Sequence, residues 1–150
     1  MSDELVILLE KHKVDAQLVQ TGSSVKTVEQ SCALGVKPEM IIKTLVFLWQ
    51  KPVIVLVRGD CMADEEVLEK MFPGIKFANA NEVRKTTGYG PGDVPPLMDG
   101  DFIRVMDKKV ADGDVFDCGG GKERRHLRIS VHELRRVQEW TVVVVSNEKA

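Results

Sequence analysis

The chain has 150 residues, of which 43% are hydrophobic, and a formal net charge of −2 at neutral pH. This size and apolar content are typical of a single globular domain with a proper core. The slight negative charge excludes a protein that coats nucleic acid through a generally basic surface, and no apolar run approaches the roughly 20 residues of a membrane helix.

The N-terminus and the cysteines indicate where the protein works. Residues 1–4 are acidic and lack the basic region of a signal peptide, so we expect a cytoplasmic protein that does not contact a membrane. Cys32, Cys61 and Cys118 are isolated, without a Cys-x-x-Cys pair, and the histidines show no metal spacing. We therefore expect reduced thiols, no metal site and no cofactor.

The first half of the chain alternates helix and strand signals. Residues 3–12 predict a helix with Ser2 as a candidate N-cap, and Ser24 is expected to begin a second helix that stops at Gly35. Further predicted elements are strands over 16–20, 41–49 and 53–58 and a helix over 64–72. The three residues between the strands 41–49 and 53–58 predict a hairpin.

The second half adds short strands and two helices that begin with capping boxes. Asn79 with Glu82 opens a helix that stops at Gly88, and Ser130 with Glu133 opens one that runs to about Gln138. Strands are predicted over 75–78, 102–106, 114–118, 126–129 and 141–146. Four valines in a row in the last segment favour a strand that is covered on both faces. Hairpins mixed with helical crossovers predict an α/β domain on a mixed, mainly antiparallel sheet.

One lysine interrupts an otherwise apolar strand. Lys43 follows Ile41 and Ile42 and precedes Leu45. An unpaired ammonium is costly to bury, so this lysine needs a partner or a function. The alternative is that Lys43 extends to water from the end of an edge strand.

A rigid glycine- and proline-rich run follows the middle helix. It reads Gly88-Tyr89-Gly90-Pro91-Gly92-Asp93-Val94-Pro95-Pro96. Proline stiffens such a segment, and glycine lets a ligand approach main-chain N–H groups, so the run could grip a small polar group. A tight connection between two elements is the other interpretation.

The order of these motifs resembles the YbaK/ProX family of editing deacylases, which are related to the insertion domain of bacterial prolyl-tRNA synthetase. The segments that carry the resemblance are Ala33-Leu34-Gly35-Val36, Ile42-Lys43-Thr44-Leu45-Val46, Arg58-Gly59-Asp60, Ala78-Asn79-Ala80-Asn81-Glu82-Val83, Thr87-Gly88-Tyr89, Pro91-Gly92-Asp93-Val94-Pro95-Pro96, Gly119-Gly120-Gly121 and His126-Leu127-Arg128. The resemblance implies a single editing domain over residues 1–150, with its sheet curled toward a barrel and helices around it. It also implies hydrolysis of mischarged aminoacyl-tRNA.

The resemblance also implies site residues. The expected catalytic residues are Lys43, Gly92, Asp93 and Pro96. The expected substrate-binding residues are Thr44, Gly88, Tyr89, Val94, Pro95, Gly119, Gly120 and His126. The N–H groups of Gly92 and Asp93 are candidate donors to an oxyanion. Cys118-Gly119-Gly120-Gly121 departs from the serine- or alanine-containing turn of many relatives, so the specificity for an amino acid does not transfer.

Several residues keep two interpretations. His126 either bounds the aminoacyl pocket or is an ordinary strand residue, and Asp107 either orients Lys43 or forms a turn. Lys122, Arg124 and Arg125 either hold the tRNA acceptor end or belong to a solvated face.

The leading prediction is a freestanding hydrolase that acts on mischarged aminoacyl-tRNA, with a synthetase as a further candidate partner and no role for DNA. The alternative is a tRNA- or synthetase-binding module of the same fold without turnover. The amino acid removed and the oligomeric state stay open.

Overall fold

A five-stranded mixed sheet lies at the centre of the computed structural model, which describes residues 3–148. The strands are β1 Ala16–Gln20, β2 Ile42–Leu48, β3 Val53–Arg58, β4 Cys61–Ala63, β5 Lys76–Phe77, β6 Ile103–Asp107, β7 Val115–Gly119, β8 Arg125–Ser130, β9 Thr141–Val143 and β10 Ser146–Glu148. The helices are α1 Glu4–Lys11, α2 Val28–Ala33, α3 Glu65–Met71, α4 Ala80–Thr87, α5 Lys108–Ala111 and α6 Val131–Val137, with a 3-10 turn at Pro38–Met40.

The central sheet has the order β5-β2-β3-β6-β9. The predicted hairpin is confirmed, because β2 and β3 pair antiparallel from Ile42 opposite Arg58 to Phe47 opposite Val53. β6 and β9 then add in parallel, each after a long connection that contains both helices and strands. A three-stranded antiparallel sheet, β1-β8-β7, and a two-stranded ladder, β10-β4, complete the strands.

Two apolar cores cover the two faces of the central sheet. On one face, Ile42 and Val46 belong to the same buried cluster as Leu127 and Ile129 of β8. On the other face, strand residues pack with α3 and with the C-terminal segment in a second cluster, which contains Phe47, Val53, Val55, Val57, Leu68, Phe72, Val105 and Val145. Alternate side chains of β2 therefore enter different cores, as the two-residue period of a strand requires.

The single α/β domain and the mixed pairing agree with the prediction, but the sheet does not close into a barrel. Three separate sheets are present in the described chain. Between the central sheet and β7, the only described pairing is the isolated parallel bridge from Ile41 to Asp117. The edge of β2 therefore stays open between this bridge and the short pairing with β5, which begins at Phe47.

The start of α2 differs from the prediction. The helix begins at Val28, because Thr27 and Gln30 form a capping box in which each side chain accepts from the other residue's backbone N–H. The Ser24 hydroxyl instead donates to Oε1 of Gln30 at 3.1 Å, outside the helix. The predicted cap Ser2 lies outside the described residues, and Asp3 caps α1.

The C-terminal segment also differs, since the row of valines does not form one strand. Val143 ends β9, Val144 is 62% exposed, and Val145 is fully buried. The chain leaves β6 at this point and pairs with β4 instead. The short β4 and α5 were not predicted, because three or four residues carry too little periodicity to be recognised.

The two predicted capping boxes have different outcomes. The box of Asn79 and Glu82 is present in full. Ser130 accepts from the Glu133 N–H, but the Glu133 carboxylate accepts from the Asp15 N–H at 2.7 Å and pairs with Arg136. Over residues 3–148, no helix is long and apolar enough to cross a membrane.

Candidate active site

A pocket of about 320 Å³ opens beside the uncovered edge of β2. Four segments meet there: the approach to α2, the first half of β2, the glycine- and proline-rich loop, and the end of β7. The lining residues are Val25, Lys26, Thr27, Val28, Glu29, Ser31, Ile41, Ile42, Lys43, Thr44, Leu45, Gly92, Val94, Cys118 and Gly119. The pocket therefore joins the two segments that the sequence singled out.

The strand edge supplies main-chain groups to the pocket. β5 pairs only with Phe47 and Leu48, so no described strand covers the outer edge of Lys43, Thr44 and Leu45. Thr44 Oγ1 is buried and has no hydrogen-bond partner among residues 3–148. A buried hydroxyl without a partner is unfavourable by about 1–3 kcal/mol.

Lys43 is half-buried and lines this pocket. Its ammonium group donates to the carbonyl oxygen of Cys61 on β4. The lysine is thus held by a main-chain oxygen and does not simply extend to water from the strand end. An ammonium has three donors, so the bond to Cys61 is compatible with a further bond to a ligand oxygen.

Gly92 brings the loop against the segment before α2. Its φ is +84°, and a Cβ atom at this position would lie 2.4 Å from the carbonyl oxygen of Lys26. Both facts exclude a larger residue without strain. The two expected oxyanion donors then differ: the Asp93 N–H already donates to Gly90 at 3.0 Å, whereas the Gly92 N–H has no described acceptor within residues 3–148.

The Asp93 side chain lies close to a cation. Lys26 Nζ is 3.7 Å from Oδ2 of Asp93, whose side chain is 13% exposed. Burial raises the pKa of Asp93, and Lys26 acts in the opposite direction. The Asp93 carbonyl accepts from Gly121 at 2.9 Å, which ties the loop to the triglycine turn.

The rest of the loop supports the pocket from behind. Val94 lines it, whereas Pro95 and Pro96 are buried and do not. A Cβ atom on Gly119 would lie 2.3 Å from the Val94 carbonyl oxygen, so glycine permits the close packing of β7 on the loop. Gly120 does not line the pocket and packs against the Arg125 backbone.

His126 stands one layer behind the pocket wall. Its Nε2 lies 3.0 Å from the hydroxyl oxygen of Ser31, a lining residue, and both side chains are buried. Burial lowers the pKa of His126, while Asp117 acts to raise it. The neutral imidazole therefore supports the lining residue Ser31 and does not line the pocket itself. His126 thus neither bounds the pocket directly nor is an ordinary strand residue.

Gly88 and Tyr89 lie elsewhere. They line a separate cavity of about 530 Å³ with α1 and Lys122, so the structure does not bring them to Lys43. Gly88 ends α4 in the left-handed conformation. The rigid run 88–96 therefore serves two cavities, and only its second half reaches the candidate site.

The basic run divides into exposed and buried members. Lys122 and Arg124 are exposed, whereas Arg125 is 5% exposed. Arg125 donates to Asp3 at 2.8 Å and to the Gly120 carbonyl at 2.7 Å. The expectation that Arg125 contacts tRNA is corrected, because the guanidinium is already engaged inside the fold. Arg128 is exposed and pairs with Asp117 at 2.8 Å.

Asp107 forms the turn of the second interpretation, and Lys43 is not among its described contacts. Its buried carboxylate accepts from the N–H of Lys109 and so caps α5, and it also binds Val145 and Ser146. These are the contacts of a turn-forming residue.

Among the described residues, the site has neither a reactive thiol nor a set of metal ligands. Burial raises the pKa of the Cys118 thiol well above its usual range, so this lining residue stays protonated. Within the described residues, no group of three or more His, Cys, Asp or Glu side chains could hold a metal ion.

Several lining residues were missed from the sequence, and two of them carry polar groups that matter for the site. Lys26 and Ser31 were not predicted as site residues, although Thr27 with Gln30 was a readable capping box that leaves Lys26 outside the helix. Ser31 carried no signal, since its partner His126 is 95 residues away.

Comparison with known proteins identifies the family. The model of the aminoacyl-tRNA editing domain matches residues 22–137, and the chain belongs to this family. The resemblance to the YbaK/ProX proteins is thereby confirmed. The chain is 32% identical over 130 residues to the proline–tRNA ligase of Thiobacillus denitrificans and 25% identical over 126 residues to that of Latilactobacillus sakei. These matches cover 83% and 82% of this chain but 22% of either ligase.

Solved structures share the whole fold. The hypothetical protein APE2540 has 27% identity and a TM-score of 0.89, with 97% of this chain and all of the other covered. A protein described as a candidate trans-editing enzyme for prolyl tRNA synthetase has 23% identity and a TM-score of 0.84, with 100% and 99% covered. Because the second structure is only 23% identical to this chain, its similarity shows a shared fold and nothing about function.

Proposed function

We propose that the protein is a cytoplasmic hydrolase that removes amino acids from mischarged tRNA. The observation that carries this proposal is the pocket in which Lys43, the open edge of β2 and Gly92 meet. Membership of the editing-domain family supports the substrate class.

The chemistry requires little of the protein. An aminoacyl ester is labile, so the site must position a water molecule and stabilise the oxyanion, where one donor typically contributes about 10²–10³ in rate. The Gly92 N–H is the candidate oxyanion donor, because the Asp93 N–H is occupied by Gly90. Lys43 is suited to orient the ester or to neutralise the terminal phosphate of the acceptor end.

Water is the more suitable nucleophile here. The Cys118 thiol is buried and protonated. The Ser31 side chain is bound to His126 and is 2% exposed, which suits a wall better than an attacking group. The general base that activates this water would then come from the substrate or from the solvent. No cofactor is required.

Positive charge near the pocket supports an approach by a polyanion. The Lys26 side chain lines the pocket and is 35% exposed. Lys122 and Arg124 are exposed on the neighbouring turn. These cations would contact phosphates and fix the orientation of the acceptor end.

Incubation with separate tRNAs that carry labelled Ala, Cys, Ser or Pro tests the proposal. Loss of label from at least one of them, above the rate without protein, is the expected result. Binding of charged tRNA without any loss of label would instead favour the alternative, a binding module of the same fold. Neither binding nor turnover with any member would contradict both.

A further inference from the structure

We propose that Asp107 and Ser146 are positioning residues, which hold Lys43 in the pocket through the C-terminal strand β10 and its partner β4. The inference rests on the proposed function for its meaning in catalysis, whereas the positioning itself can be measured without any turnover.

Asp107 fastens the C-terminal segment to the central sheet. It is fully buried at the end of β6. Oδ1 accepts from the Val145 N–H at 2.9 Å, and Oδ2 accepts from the Ser146 hydroxyl at 2.8 Å. A buried carboxylate is retained only where donors such as these compensate for its desolvation. The segment that follows β9 is therefore held in one place.

The fastened segment in turn holds β4. β10 pairs antiparallel with β4, with Ser146 opposite Ala63 and Glu148 opposite Cys61. The Asp64 N–H donates to the Val145 carbonyl at 2.7 Å. β4 has three residues and lies outside the two larger sheets, and β10 is the described strand that pairs with it.

β4 provides the contact with the lysine. The Cys61 carbonyl accepts from the Lys43 ammonium, and Cys61 itself is fully buried. Lys109, whose N–H binds Asp107, reaches the same place: its Nζ lies 3.8 Å from the Cys61 sulfur and 3.9 Å from Oε1 of Glu148. The chain of contacts thus runs from Asp107 through β10 and Cys61 to Lys43.

The segment that Asp107 holds lies beyond the part of the chain that the family model matches. The match ends at residue 137, whereas Val145 and Ser146 follow it. The C-terminal segment thus supports the strand lysine of the pocket indirectly, from outside the matched residues. A displacement of about 1 Å at such a group can lower a rate by up to ~10²-fold.

Competitive acylation of the lysines, quantified by mass spectrometry, tests the positioning directly. Asp107→Asn and Ser146→Ala are made in the full chain, with Lys51 as the internal reference because it lies on the same hairpin and is 45% exposed. We expect the labelling rate of Lys43 relative to Lys51 to change by about threefold or more in both variants, since the hydrogen-bond acceptor has moved. Asp112→Asn, which removes only the exposed pair with Lys108, is the matched control and is expected to leave the ratio unchanged.

Steady-state deacylation gives the second readout. Both positioning variants are expected to lose kcat by about tenfold with KM within about twofold, because the lysine is misplaced while the tRNA-binding surface is intact. Ser146→Ala removes a single hydroxyl and keeps the test valid if Asp107→Asn fails to fold. An unchanged Lys43 labelling ratio in a folded variant overturns the inference. A changed ratio in a protein without turnover leaves the positioning intact and removes the proposed function instead.

Discussion

The Ser31 hydroxyl and Nε2 of His126 lie 3.0 Å apart across the wall of the candidate active site. α2 supplies the first residue and β8 the second, and each is at most 5% exposed. The contact fixes α2 against the three-stranded sheet. The inner wall of the pocket is therefore sensitive to the charge of a single imidazole.

The first prediction concerns pH. Because burial lowers the pKa of His126 below that of the unfolded chain, the unfolded state binds the extra proton first. The free energy of unfolding is therefore expected to fall as the pH falls from about 7 to about 5. Urea unfolding of the wild type and of His126→Gln over this range measures the effect, and the fall should be smaller in the variant. Equal slopes would show that His126 does not contribute.

The second prediction concerns the unpaired hydroxyl of Thr44. Thr44→Val keeps the shape and removes a buried group that has no described partner, so stability should change by less than about 1 kcal/mol or rise. Deacylation is expected to fall if the hydroxyl binds the substrate. Thermal melting and single-turnover rates separate the two effects. Unchanged turnover in the variant would assign Thr44 to packing alone.

The third prediction concerns Gly92. The positive φ and the contact with Lys26 indicate that Gly92→Ala loses both activity and stability, with a strain of about 1–3 kcal/mol. Gly74→Ala is the matched control, because Gly74 has a φ of +87° with open space around it. A larger loss of melting temperature at Gly92 than at Gly74 measures the contact with Lys26, and equal losses would contradict it.

The fourth prediction separates the members of the basic run. Replacing Lys122 and Arg124 together by alanine should raise KM for charged tRNA and reduce the salt dependence of log affinity by about 0.7–0.9 for each phosphate that is no longer bound.

Arg125→Met should instead destabilise the fold, because Asp3 loses its main partner. The pKa of Asp3 is lowered to about 2, so the stability from this pair is present above about pH 4 and is lost as the pH falls toward 2. KM and its salt dependence should distinguish the two variants. An unchanged KM in the double variant at low and moderate salt would leave this surface without a role in binding.

The sequence predicted those features that depend on local patterns. The β2–β3 hairpin followed from two apolar runs and a short turn, and the box of Asn79 and Glu82 gave the start of α4 correctly. Lys43 could be recognised because a charge in an apolar strand is locally unusual. The prediction that Gly92 belongs to the same site as Lys43 depended on the family resemblance.

Features that depend on long-range partners were not predictable. Arg125 looks like one more surface cation in the sequence, and only the fold brings Asp3, which is 122 residues away, against it. The row of valines at 142–145 indicated a continuous strand, because nothing local shows that Asp107 holds the Val145 N–H and turns the chain toward β4. Lys26 lies in the pocket against Gly92, a residue that is far from it in the sequence.

The most direct test of the account compares Lys43→Ala with Lys51→Ala in single-turnover hydrolysis of the best charged tRNA from the panel. Lys51 lies on the same hairpin and forms an exposed pair with Asp101, so its variant controls for the loss of a lysine. The account predicts that Lys43→Ala slows hydrolysis by about 10²-fold or more while both variants stay folded by circular dichroism. Equal rates in wild type and in folded Lys43→Ala would contradict the assignment of this pocket as the active site.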